Sequence, residues 1–555
     1  MFRKRDPQSV LIETSHLIPR EKRARIDATW ARAFREQALP LIEEAPFAPL
    51  FHEGNGRPNA PVQVVVGTLI LKEMFDLTDM EALEQLEFNI LWQHALRLTP
   101  EDAHLCQKTL HNFRVRVMEH GDNGARLAFE RMTDAIIVVL GTRVERQRLD
   151  STHVLSNFAI LTRLGLFCET IRVALVALRR AHPKLFKCLS KVARGRYLKD
   201  DGTETTRFRD AKAEVARRRL GTCARDVFRI LSLCKGKAAA ELPEIVQLQR
   251  LFDDQCEAVK SECAPGADDD DAGEGGAPVI VKEPKAISSA SLQTPHDSDV
   301  TYSGHKGKGY EVQIAETCHE KNAVEIITHV EVTQSCDSDA AATLPTIEAL
   351  AERGLQPEQL VADTTYGSAE NAVAAAKLGT ELVSPLAGSK VEAAEEPKDR
   401  PLTDGDFKID ARLESPATCP AGHEASSQQP LESRPNTVEL RFDASLCAAC
   451  PLASRCPAKQ KAGAEEAVVL VNLERANIEQ RRRAEALGEL KPRYDIRAGC
   501  EATNSELKRR HGLRKLRVRG WARVVFATYF KALACNFKRM LYAVLGGCPV
   551  VGATA

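Results

Sequence analysis

Between residues 142 and 386, short runs rich in β-branched residues alternate with stretches of helical periodicity, and that order constrains the fold more than any other feature. TRVERQRLDSTHV reads as a strand ending near Asp150, after which residues 157–262 return to helix, interrupted near Gly202. GYEVQIAET and VEIITHVEV are two further strands, joined as a hairpin across CHEKNA. DAAATLPTIEALAERG is a helix closed by Gly354, LVADTTYGS a short apolar strand running into a turn at Asp363, SAENAVAAAKLG another helix, and ELVSPL a fifth strand. Strand, long helical insertion, strand, strand, helix, strand, helix, strand describes an α/β layer with some antiparallel pairing.

The flanks differ in texture. At 555 residues the chain has room for roughly three to four domains of about 150 residues each. Residues 1–140 read as helical: PVQVVVGTLILKEMF and DMEALEQLEFNILWQHAL carry apolar residues at helical spacing, with Pro61 and Asp79 as start signals. Thr99-Pro100-Glu101-Asp102 looks like the cap of another helix. Such a head is either a helix-turn-helix DNA reader or a plain bundle. The segment APGADDDDAGEGGAP, rich in Gly and Pro and without large apolar residues, reads as a flexible acidic linker. A hydrophobic share of 43% with 28% charged residues argues against global disorder. No run reaches the ~18 apolar residues of a membrane span, and MFRKRDPQSV has no apolar segment behind its basic residues, so a cytosolic protein is expected.

Lys+Arg and Asp+Glu are both 77, yet the charge is segregated. Residues 491–520 hold ten bases against three acids, and a second basic stretch from Lys184 to Lys237 includes Arg217, Arg218 and Arg219. Two basic patches in a neutral chain suggest a polyanionic partner; solvated helix faces are the plainer explanation for either patch alone.

Three acids stand out. Asp150 and Asp363 each end a strand and are followed by small hydroxyl residues, Ser151-Thr152 and Thr364-Thr365. A carboxylate at a strand end can bind a hard cation, although it is also ordinary turn chemistry. The third, Glu501, sits among bases in RYDIRAGCEATNSELKRRHGLRKLRVRG. Taking Tyr494 as the origin of a helix, Arg497, Lys508 and Glu501 fall at about 300°, 320° and 340°, so one face carries all four. Three carboxylates converging from two strand ends and a helix would hold two divalent metals, Mg²⁺ being the natural occupant, for in-line phosphoryl displacement.

Tyr494-x2-Arg497-x3-Glu501-x6-Lys508 matches the Tyr-Arg-Glu-Lys motif of bacterial insertion-sequence DDE transposases without a gap. RLDSTHVLSNF and LVADTTYGSAEN resemble the contexts of that family's first and second aspartates, and GYEVQIAET its intervening strand. The head, FHEGNGRPNAPVQVVVGTLILKEMFDLTDMEALEQL through TLHNFRVRV, is similar to the helical N-terminal domain of the insertion-sequence eleven-eighty-two group. The resemblance implies a multidomain α+β protein: a helical DNA-binding head, an RNase H-like α/β catalytic domain with a long helical insertion, and a small cysteine-rich, zinc-ribbon-like insertion. The implied segments are 1–140 (head), 141–156 (first core strand), 157–262 (basic helical insertion), 263–285 (acidic linker), 286–400 (core continued), 401–475 (cysteine-rich insertion) and 476–555 (catalytic helix region). It further implies Asp150, Asp363 and Glu501 as catalytic ligands of two Mg²⁺ or Mn²⁺ ions, and Tyr494, Arg497 and Lys508 as contacts to transposon-end DNA. The implied reaction is cleavage at transposon ends, then transfer of the freed 3′-hydroxyl into target DNA by a homodimer in the bacterial cytosol, associated with the nucleoid when bound to DNA. The basic insertion after Asp150 is a departure for which the resemblance supplies no role. A catalytically inactive DNA-binding descendant and a metal-dependent nuclease without strand transfer are the competing readings.

Among 16 cysteines only Cys419, Cys447, Cys450 and Cys456 are spaced as if for a purpose. Cys447-x2-Cys450 is a good zinc half-site, and a structural Zn²⁺ on the four thiols ranks ahead of a set containing His423. His153, close to Asp150, could orient a catalytic group, and His296, Asp297 and Asp299 could line the cleft; packing and loop polarity explain them equally well. There is no Gly-x4-Gly-Lys-Ser/Thr segment, so an ATPase has no support.

Overall fold

Arg146–Val154 (β1) forms the middle strand of a mixed sheet in this computed structural model, which describes residues 2–5, 14–52, 58–120, 123–199, 212–258, 279–388 and 399–546. Gly307–Thr317 (β2) pairs antiparallel with β1 on one edge and with Ile327–Gln334 (β3) on the other. On the far side of β1, Gln359–Ala362 (β4) runs parallel to it, and Glu381–Val383 (β5) runs parallel to β4. The spatial order of these five is therefore β3-β2-β1-β4-β5, and a sixth short strand, Thr301–Ser303, pairs with the start of β2. Leu360, Val361 and Ala362 are all buried, as a parallel strand covered on both faces requires.

The helices explain how so many layers share a core. Val62–Met74 (α1) follows Pro61 and buries every residue except Gln63. Asn123–Leu140 (α2) leads into β1. After β1 come Arg163–Ala181 (α3), Ala213–Cys234 (α4) and Pro243–Gln255 (α5), which enclose a separate core of Phe167, Ile171, Leu175, Val227, Leu248 and Leu251. Thr343–Glu352 (α6) and Ala369–Leu378 (α7) join β3 to β4 and β4 to β5; α7 starts on the Ser368 hydroxyl and stops at Gly379, whose φ of 91° suits a residue without a Cβ. Leu473–Ala486 (α8), Gly499–Arg510 (α9) and Trp521–Val544 (α10) complete the set. From Val524 to Phe537 nearly all of α10 is buried, because it packs on α1, α2 and β3 at once. Head and sheet thus belong to one apolar cluster, in which Phe34 of the head lies against Phe537.

Buried charge reinforces that joint. Glu73 of α1 accepts from Lys72 at 2.5 Å and from Lys531 of α10 at 2.6 Å. Burial alone would raise its carboxyl, but the two ammonium groups win and hold it down to about 2. No helix among the described residues is long and apolar enough to cross a membrane.

Several expectations need correction. β1 does not end near Asp150; it continues to Val154 because Ser151, Thr152 and His153 keep the ladder with β2. Thr99 and Asp102 do not open a helix: the Thr99 hydroxyl and the Asp102 carboxylate close a turn on each other, and the helix begins at Gln107. The end of the expected linker is ordered, since Val279–Val281, a β-branched run, pairs with Cys256–Ala258. Asp268 to Asp271 and Gly202 lie outside the described residues.

Candidate active site

Strand alternation places Arg146, Arg148 and Asp150 on one face of β1, and each holds part of the segment leading into α9. Arg146 donates to the Arg493 carbonyl at 2.7 Å and Arg148 to the Ile496 carbonyl at 2.8 Å. Asp150 accepts from Arg497 at 3.1 Å through one oxygen and from the Asn504 amide at 3.1 Å through the other. The same Arg497 nitrogen lies 3.8 Å from Asp363, the first residue after β4. Two aspartates distant in sequence therefore meet one guanidinium, because β1 and β4 are adjacent and parallel.

The two carboxylates differ in environment. Asp150 is 13% exposed and Asp363 32%. Burial raises the Asp150 carboxyl above the usual range, and Asp363 adds to the shift, while Arg497 opposes it. Asp363 is held by its own turn, accepting from the Thr365 amide at 2.8 Å. Such a pair favours a neighbouring cation.

The expected continuous helix from Tyr494 to Lys508 is broken. Tyr494 ends a short helix, Arg497 lies in a 3₁₀ turn at Asp495–Ala498, and Glu501 and Lys508 occupy the first and last turns of α9. Gly499 stands where the Arg148 guanidinium passes, and a Cβ there would collide with it. Glu501 is exposed, on the same side of α9 as Asn504. Lys508 is half-buried; burial lowers its ammonium, with Glu311 and Asp150 close enough to resist the shift. Burial raises the Tyr494 hydroxyl, and Asp363 and Asp150 act in the same direction against Arg497.

Beneath α9 lies a buried ionic network. Glu316 of β2 receives Arg148 at 2.9 Å, the Thr503 hydroxyl of α9 at 2.6 Å and Arg539 of α10 at 3.0 Å. Arg539 also binds Glu506 at 3.0 Å, and these carboxylates with the buried Cys535 raise the guanidinium above its ordinary value despite desolvation. On the opposite face of β1, the Ser151 hydroxyl, Lys306 and Gln313 converge on Asp339. Asn504 was within reach of sequence reasoning: it falls at about 280° on the Tyr494 projection, beside Arg497, but carries no charge to draw attention. Glu316, Asp339 and Lys306 gave no such local signal.

Other candidates have structural partners. His153 points to the face opposite Asp150 and contacts the Lys308 carbonyl at 3.2 Å. Asp297 accepts from Ser156, Tyr310 and the Gly520 amide, and Asp299 accepts from the Trp521 amide, so both secure the start of α10. His296 contacts Glu169 at 2.7 Å.

Cys419, Cys447, Cys450 and Cys456 line one cavity of about 250 Å³ with His423, beside the antiparallel strands Ser427–Pro430, Thr437–Asp443 and Glu466–Asn472. Burial pushes the Cys447 thiol up, and the other three sulfurs add to the shift, but the four do not gather within 4.8 Å of one another. Elsewhere Glu506, His511 and Cys535 bring ligand atoms within 4.8 Å of one another. There Arg539 already holds Glu506, and Lys538 and Lys531 lie close to His511, which disfavours a cation.

Two family models match the chain. One, described as Transposase DDE domain, matches residues 418–541, which include the cysteine group, Glu501 and most of α10. The other, described as Transposase domain (DUF772), matches residues 22–116 of the head. No curated protein and no solved structure matches. The two matches support an insertion-sequence transposase, and the DDE match suggests a nucleic-acid-cleaving enzyme with DNA as substrate.

Proposed function

We propose that this chain is a DDE transposase that binds the ends of an insertion sequence, cleaves DNA phosphodiesters there and transfers the 3′-hydroxyl ends into target DNA. The observation that carries this reading is the meeting of Asp150 and Asp363 at Arg497, with the Glu501 helix laid over the same face of the sheet. The β3-β2-β1-β4-β5 order supports an RNase H-like catalytic domain around them.

The donor set suits hard cations: carboxylates from two adjacent strands, one largely buried, and a third exposed on the facing helix. Asp150, Asp363 and Glu501 would hold two Mg²⁺ or Mn²⁺ ions, which supply Lewis acidity and an activated oxygen nucleophile when bound. Asn504 fixes the rotamer of Asp150, and Arg146 and Arg148 fix the backbone that precedes Glu501. Arg497 neutralises the aspartate pair, which limits their mutual repulsion, and together with Tyr494 and Lys508 it would face the phosphates of the transposon end. The four cysteines would hold a structural Zn²⁺ that ties down a small lobe with a modest core. Two ends need two such sites, so the working form is a homodimer on DNA, in the bacterial cytosol and nucleoid-associated.

The test is cleavage of a labelled duplex carrying the element's own ends, with Mg²⁺, comparing wild type with Asp150→Asn, Asp363→Asn and Glu501→Gln at equal DNA occupancy. Wild type should cut and join, and each variant should bind without cutting. A variant that cuts as well as wild type removes its residue from the site. Tight binding without any cutting by wild type favours the inactive DNA-binding protein, and cutting without joining favours the nuclease.

A further inference from the structure

We propose that the helical insertion between β1 and β2 is a second duplex-DNA contact, made by the outer face of α4 and the basic segment after α3. The inference rests on the DNA reading above but concerns residues to which that reading assigns nothing.

Residues 163–199 hold ten bases and a single acid, Glu169, which is occupied by Arg172 and His296. From Ile171 to Lys199 there is no acid at all, and Arg180, Lys184, Lys187, Lys191 and Lys199 are exposed. Ordinary solvated surfaces intersperse both signs, whereas like charges gathered this way repel unless a polyanion lies against them.

On α4 the arrangement is more specific. Projected from Arg218, Thr222, Arg225, Arg229 and Ser232 fall within an arc of about 80°. The core residues Cys223, Val227, Ile230 and Cys234 lie on the opposite side, so packing aims this stripe outward. Arg218, Arg225 and Arg229 are all exposed. They span about 16 Å of helix axis, a length over which one DNA strand presents about five phosphates. The exposed Ser232 hydroxyl adds a neutral phosphate donor, while the Thr222 hydroxyl turns to the Arg218 carbonyl and accepts from Arg225. Neighbouring arginines have structural work instead: Arg217 reaches Glu283, Arg196 binds Asp226, and Arg194 stacks on Phe186.

The insertion is also mounted where DNA would pass. It leaves β1 a few residues after Asp150, and Leu155 and Asn157 pair with the backbone at Arg514 to Val518, in the basic stretch that follows α9. Arg250 and His296 brace it against the segment leading to β2. A duplex held at the carboxylates would lie beside exposed Arg514 and Lys515, and the insertion extends that positive track.

The experiment measures full-length protein binding to a fluorescent duplex of random sequence over a KCl series. The variants are Arg218→Ala/Arg225→Ala/Arg229→Ala and the same three positions changed to Lys. Losing three phosphate contacts should flatten the slope of log K against log salt by about 3 and weaken binding more than tenfold at low salt, while the Lys variant keeps the wild-type slope. If the Ala variant binds with wild-type affinity and slope, the insertion makes no contact and the inference fails alone. If Ala and Lys variants lose binding equally, charge is not the cause and the inference fails. If wild type binds no duplex, the DNA reading fails with it.

Discussion

His511 joins the head to the end of α9, and its reluctance to take a proton there should make the fold less stable at mildly acidic pH. The ring follows α9, is completely buried, and sets Nδ1 3.0 Å from the Glu73 carbonyl of α1. Burial, with Lys538 and Lys531 nearby, lowers its pKa from 6.5 to about 4, although the Glu73 carbonyl and Glu506 resist. The unfolded chain takes up this proton near pH 6.5 and the folded chain only near pH 4, so stability is full above pH 6.5 and falls as pH drops towards 4. The loss reaches about 2 kcal/mol at pH 5 and about 3 kcal/mol below pH 4. Carboxylates such as Glu73 and Glu169, both held down to about 2, act in a lower window as they protonate below pH 4.5. Urea unfolding followed by tryptophan fluorescence is the assay, because Trp30 and Trp92 lie in the same core. Wild type should lose stability between pH 7 and 5, and His511→Gln, whatever its starting stability, should be flatter by about 2 kcal/mol over that range. A flat wild-type profile, or an unchanged slope in the variant, would refute the argument.

The ionic network under α9 gives a second expectation: Glu316→Gln removes the charge shared by Arg148 and Arg539 and should cost about 3–5 kcal/mol, read as a lower thermal midpoint; a negligible shift would mean that water compensates. Asn504→Ala frees Asp150 and should lower cleavage about 10–100-fold while raising the Mg²⁺ needed for half-maximal rate, with DNA affinity unchanged. Loss of DNA affinity instead would place Asn504 at the substrate. Cys447→Ser should abolish zinc, measured as metal per chain by atomic absorption, and make residues 401–475 sensitive to protease; a wild-type chain purified without zinc would remove the metal from this lobe.

Much of the layer was legible because its elements carry their own signals. The β2–β3 hairpin, the apolar β4, and α7 between Ser368 and Gly379 follow from alternation, buried runs and caps, each a local property. Asp363 was legible for the same reason, as the polar stop after an apolar strand. What escaped depends on partners far along the chain. Asp150 reads as the end of its strand because Asp followed by Ser151 is ordinary turn chemistry, and the ladder with Gln313 and Val312 is what keeps Ser151 and Thr152 extended. The all-round apolar surface of α10 announces burial, but nothing local says that it will lie between the head and β3.

The break before α9 shows why the Tyr494–Lys508 face could be read only in outline. A continuous helix would place the four motif residues on one stripe, yet the chain must also let Arg148 reach the Ile496 carbonyl and Glu316 together. Both demands are met if the backbone tightens into a 3₁₀ turn over Asp495–Ala498 and meets Arg148 at a residue with no side chain, Gly499. Arg497, carried on that turn, is thereby aimed at Asp150 and Asp363 rather than along the face with Lys508. Strand β1 thus does two jobs with alternate residues of one face: Asp150 supplies a carboxylate, while Arg146 and Arg148 set the turn that brings a guanidinium to it. Because the fold places these groups through backbone carbonyls of residues 493 and 496, substitutions at Arg146 or Arg148 should disturb the site even though neither touches the aspartates.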